Sequence, residues 1–149
     1  MSQPPSAHVA VPNLLGRDCE LMDGAEWEQV GALFAAATLV GPGGELVAEG
    51  AAAVTRLYER GTRLHAGSPG TRHVTANPVI EVDGDTASAR SSYVVFQGAP
   101  GFALQPIISG RYADTFTRTD GSWRFARRQF FVDHVGDLSH HLTYEVPKP

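Results

Sequence analysis

The stretch "GTRHVTANPVIEVDGD", Gly70 to Asp85, sets a histidine at the head of an alternating run that closes on a turn. Histidine's ordinary pKa lies near neutral, so His73 is a natural candidate to carry a proton to or from a bound molecule. Read alone it needs no such role, because strand-end histidines are also satisfied by local hydrogen bonds. Alternation places His73, Thr75 and Asn77 on one strand face, which makes Asn77 a candidate to bond a substrate oxygen. Pro78 biases Asn77 toward an extended backbone.

Other polar residues carry chemical and plain readings side by side. Asp23 in "ELMDGAEW" is either a helix cap before "GAEWEQ" or a catalytic carboxylate. Asp18 reads as a solvated helix residue unless it enters a pocket. Asp114 in "GRYAD" fits a charge pair with an arginine of "WRFARRQFF", where Arg124, Arg127 and Arg128 crowd together. A one-residue slip of strand parity decides which of these faces inward. His134, His140 and His141, with Asp133 and Asp137, match no regular set of ligands, so no metal is expected. Cys19 is the only cysteine, which excludes an internal disulfide and leaves one thiol as a further nucleophile to consider.

The elements that must position these groups follow from periodicity. At 149 residues, 42% apolar and 19% charged, the chain reads as one globular domain. Residues 1–12, with Pro4, Pro5 and Pro12, read as a flexible arm, residues 13–142 as the domain and residues 143–149 as a polar tail. Leu14, Leu15, Cys19 and Met22, then Trp27, Val30, Leu33 and Phe34, recur at helical spacing around a break at "DG". These predict two short helices, with Trp27, Leu33, Phe34 and Phe125 as core. "TLVGPGGELVAEG" predicts a short β-excursion and "GAAAVTRLYERGTRL" a third helix. Residues 72–82 and 86–97 alternate around "DGD", and a second such pair flanks "DG" at 120–121. Helices first and a curled antiparallel sheet after them make an α+β fold. On the next strands, Ala87, Ala89, Ser91, Tyr93 and Val95 share a face, as do Ile108, Tyr112 and Asp114. If these look inward, the alanines leave room, and Tyr93 and Tyr112 become candidate walls or donors.

Composition narrows the partners. A net charge of −4 and a pI near 5.8 lack the basic footprint that nucleic acid requires. No run of about 18 apolar residues suits a membrane span, and the N-terminal residues show no targeting pattern, so a cytoplasmic location is expected.

The ordered set "DGAEWEQVGALFA", "RHVTAN", "VDGDTASARSSYVV", "GRYADTFTRTDGSWRFARR" and "DHVGDLSHHL" resembles the SnoaL-like branch of the nuclear transport factor 2-like superfamily, over roughly residues 13–142. The resemblance implies a cone: a bent antiparallel sheet wrapped around about three helices, enclosing a mostly apolar pocket. That superfamily includes scytalone dehydratase, bile-acid dehydratase, hexachlorocyclohexane dehydrochlorinase, polyketide cyclases and proteins that only bind or assemble. Fold alone does not choose among them.

Residue by residue, the dehydratase-like pattern implies that Asp23 orients His73, that His73 removes a proton, and that Arg128, in the position after "WxFxx", stabilises the anion. Ile108, Asn77, Tyr93 and Tyr112 are the expected substrate contacts, together with Asp18, which stands where relatives often carry a tyrosine or lysine. The resemblance thus implies a lyase or isomerase with no cofactor, acting on a small hydrophobic, oxygenated, possibly polyketide-like molecule. The alternative is a non-catalytic binding or assembly protein. A homodimer or homotrimer is expected, by covering apolar sheet surface.

Overall fold

The computed structural model describes residues 3–149; Met1 and Ser2 of the expected arm lie outside the described residues. Three helices, α1 (Ala7–Asp23), α2 (Trp27–Leu33) and α3 (Gly50–Gly61), are joined by two short strands, β1 (Thr38–Val40) and β2 (Leu46–Glu49). Four long strands follow: β3 (Thr71–Asp83), β4 (Thr86–Ala99), β5 (Phe102–Thr119) and β6 (Ser122–Val135). They form one open sheet in the order β2-β1-β6-β5-β4-β3, antiparallel except where β1 runs parallel to β6. The result is the expected α+β cone.

The arm is shorter than expected. Ala7, Val11, Leu15, Asp18 and Met22 recur every three or four residues along α1 and are all buried, so the inward stripe begins at Ala7. Pro12 sits inside this helix. It leaves the His8 carbonyl without its helical donor, which is tolerable because His8 is exposed and water can serve instead.

Helices α2 and α3 cross at Gly31, where a Cβ would collide with Thr55 and the Ala51 backbone. The Thr55 hydroxyl donates to the Trp27 carbonyl at 3.2 Å across the same crossing. Trp27, Val30, Phe34, Val54, Phe116, Trp123 and Phe125 pack into a dry core between helices and sheet, with Leu33 against its edge. The Phe34 and Phe116 rings lie 4.5 and 4.7 Å from Phe125.

Two bulges decide which side chains look inward. In β3, Ala76 pairs with Ser92 but Val79 with Arg90, so one residue is extra. Asn77 takes a positive φ of 55° there, in the left-handed region that asparagine tolerates. It is therefore not extended, as Pro78 suggested, and the parity that joined it to His73 breaks at that point. In β6, Arg127 and Phe125 pair with neighbouring Thr115 and Phe116, leaving Ala126 extra. Trp123 and Phe125 face the core, and the bulge then turns Arg128 inward and leaves Arg127 only half-buried.

Candidate active site

Asp23 ends α1, and the first residues of β3 pass directly beside it. Its carboxylate accepts the Thr71 hydroxyl at 3.0 Å, the His73 backbone N–H at 3.0 Å and His73 Nδ1 at 2.6 Å. Both side chains are nearly enclosed, His73 at 12% and Asp23 at 10% exposure. The network assigns the proton to Nδ1, because a carboxylate already fixed by two other donors can only accept there. Nε2 is left with a free lone pair. The capping alternative for Asp23 lapses, since its oxygens serve β3 rather than the start of α2.

His73 lines a cavity of about 770 Å³. Its apolar walls include Met22, Leu57, Val95, Ile108, Phe130 and Val132. Ile108 is thus a cavity residue. Asn77 is not: it is exposed on the bulge and outside the lining. Tyr93 contributes its ring, but its hydroxyl donates to the Phe131 carbonyl at 2.9 Å, reaching across Gly110, where a Cβ would meet both groups. The expected substrate bond from Tyr93 is therefore already spent.

Arg128 is buried among carboxylates. Nε and Nη2 donate to the two oxygens of Asp114 at 2.8 and 3.0 Å, and Nη1 donates to Asp18 at 2.6 Å. Its guanidinium also lies 3.8 Å from the centre of the Tyr112 ring. Burial works against the charge, but Asp114 and Asp18 outweigh it and hold the Arg128 pKa well above its usual range. Burial pushes Asp114 the other way, up from an ordinary carboxylate, and Arg128 opposes that shift. Three of five guanidinium N–H groups are thus engaged, which corrects the picture of Arg128 as a free anion receptor. Asp18 is 6% exposed and lines the cavity, so of its two readings the pocket residue holds and the solvated one does not.

Several hydroxyls of the cavity lining remain unspent, those of Tyr58 and Tyr112 among them. Neither Tyr58 nor Tyr112 makes a side-chain hydrogen bond among the described residues, and both line the space. Burial pushes both phenols up, so they stay protonated donors. The Tyr112 ring is held between Tyr93, 4.5 Å away, and Arg128. Tyr58 was absent from the sequence reading, although it stands four residues after buried Val54 on the inward side of α3. His141, weighed from sequence only as a metal ligand, is 6% exposed, and its ring lies edge-on to His73 with centres 6.3 Å apart. Burial, and then the neighbouring His73, lower its pKa to about 4.

The tail is part of the site. Thr143 donates from its N–H to the Gly61 carbonyl at 3.0 Å and from its hydroxyl to the Arg60 carbonyl at 2.8 Å. Those bonds lay Tyr144 to Pro149 along the cavity wall. Cys19 is instead half-buried against Thr75 at 3.4 Å, and burial raises its pKa, so it is a quiet thiol.

A family model described as the SnoaL-like domain matches residues 6–129. The chain belongs to this family. The SnoaL-like match starts one residue before α1, in accord with the early helix start. Among solved structures, a variant of Rv3472, described as a function unknown protein from Mycobacterium tuberculosis, is 26% identical, with a TM-score of 0.71 over 85% of this chain and 72% of that one. A putative scytalone dehydratase from Novosphingobium aromaticivorans is 23% identical, with a TM-score of 0.70 over 95% of this chain and 89% of that one. ActVI-ORFA from Streptomyces coelicolor is 21% identical, with a TM-score of 0.69 over 86% and 98% respectively. The last two share the SnoaL-like fold with this chain. Comparison with curated proteins found no match. No helix among the described residues is long and apolar enough to cross a membrane.

Proposed function

We propose that this SnoaL-like protein is a cofactor-independent lyase or isomerase that removes a proton from a carbon next to a carbonyl in a small hydrophobic molecule. The observation that carries the reading is the 2.6 Å contact between Asp23 and His73 Nδ1 at the wall of the cavity. His73 Nε2 takes the proton, and Asp23 stabilises the imidazolium that forms. The C–H electron pair passes into an enolate, whose oxygen receives hydrogen bonds from the Tyr58 and Tyr112 hydroxyls. In an isomerisation the imidazolium returns the proton to another carbon of the conjugated system. In an elimination it protonates the departing hydroxide, which leaves as water.

Arg128 acts in this reading as a positioning residue, holding the Tyr112 ring and Asp18 in place. Its engagement by two carboxylates favours the second reading, a ligand-binding protein without turnover, because the buried cation of the cavity is already paired. Hydrogen exchange separates the two. With 2-tetralone in D₂O, followed by NMR, the wild type is expected to speed exchange of the α-protons above the buffer rate, and His73→Ala to abolish that gain. An enzyme-independent rate, or one that survives His73→Ala, would sink the catalytic reading.

A further inference from the structure

We infer that Asp18 sets the charge of the ligand: the cavity selects an uncharged molecule that donates a hydrogen bond and turns away the carboxylate built on the same ring frame. This rests on the cavity being the ligand site, and deepens that reading. Three observations carry it.

Arg128 is the one buried cation among the cavity residues, and it is shared by two carboxylates, so the cluster of Asp18, Arg128 and Asp114 has a formal charge of −1. Asp23 adds a further carboxylate beside His73. The other charged lining side chains, Glu45, Glu145 and Lys148, are exposed and screened by water at the rim. An incoming anion meets two N–H groups of Arg128 that are still unused, but only by bringing another negative charge against buried walls that are already negative. Repulsion there is much stronger than in bulk solvent.

The second observation is an open acceptor. Asp18 Oδ2 takes the Nη1 hydrogen bond, while Oδ1 accepts none from the described residues and is not among the polar atoms sealed off without a partner. Asp18 belongs to the cavity lining, so this oxygen is available to a bound molecule. A hydroxyl can donate to it, and a carboxylate cannot. The third is position: Asp18 lies on the inward stripe of α1 between Leu15 and Met22, so its carboxylate is directed by the helix and not by a movable loop.

The test compares two probes on one naphthalene frame at pH 7, 2-naphthol and 2-naphthoate, by calorimetry. The wild type is expected to bind the naphthol at least about tenfold more tightly. Asp18→Asn exchanges an acceptor for an amide donor and removes a negative charge. It is expected to shift the ratio at least about tenfold toward the naphthoate. Equal affinities in the wild type, no binding of either probe, or an unchanged ratio in Asp18→Asn would overturn the inference. Should that variant not fold, the wild-type ratio decides alone. Binding is read here without turnover. A protein that prefers naphthol but exchanges no protons keeps this inference and loses the catalytic one, and the converse result does the reverse.

Discussion

Two aspartates five residues apart on one helix are put to opposite uses. Asp23, at the end of α1, meets a single ring nitrogen and leaves the other nitrogen of His73 free. Asp18, one turn earlier, helps to saturate Arg128 together with Asp114. The first arrangement stores an unmet valence beside a cavity, as a proton-transfer site must. The second pairs its buried cation with two carboxylates, because an unpaired buried charge is costly, and leaves only Asp18 Oδ1 and two Arg128 N–H groups open toward a ligand. Location on the same helix therefore does not imply the same role.

The contrast is broken most sharply by His73→Ala. Exchange activity is expected to fall by about 10²–10⁴-fold, the usual contribution of a general base, with the thermal unfolding temperature little changed. Arg128→Met is expected to do the reverse in kind, costing about 3–5 kcal/mol in urea denaturation, since two buried carboxylates lose their cation. If Arg128→Met leaves stability untouched and abolishes exchange instead, the division of labour is wrong.

His141 sharpens the comparison through pH. Its folded pKa of about 4 lies below the ordinary histidine value, so the unfolded chain binds the extra proton between those limits. The stability that this contributes is whole above about pH 6.5 and is lost as pH falls toward 4, on the order of 3 kcal/mol in all. His141→Gln cannot titrate, and its stability measured over that range is expected to fall less steeply than the wild type's. Equal slopes would show that His141 does not remain neutral in the fold. The smallest effect belongs to Asp85→Ala. This pair with Arg118, 2.7 Å long, lies at the surface with 68% and 41% of the two side chains exposed, and its loss is expected to cost under about 1 kcal/mol.

Much of this was legible in the residue order, and the failures have local causes. Both hairpins, the three helices and the β-excursion follow from turn chemistry and periodicity. Asp18 was legible too: three residues after Leu15 and four before Met22, it falls on the buried stripe, but carboxylates are so seldom buried that its type outweighed its position. Asn77 was misplaced because alternation assumes an unbroken strand, and the bulge at that residue changes the parity. Tyr93 was placed on the correct face, yet no sequence rule shows that Gly110 lets its hydroxyl reach the Phe131 carbonyl. The place of His141 and the tail in the cavity is not legible because they occupy no periodic element.

The sequence by itself determined the order of elements and the inward face of β4, because turns and side-chain periods are local properties of the chain. The resemblance drew attention to His73, Asp23 and Arg128. Only the tertiary structure decided what those residues touch. The contacts span 50 residues from Asp23 to His73 and 110 from Asp18 to Arg128. Such contacts depend on how α1 packs against a sheet bent by bulges, and a bulge of one residue is enough to exchange Arg127 for Arg128 at the cavity wall.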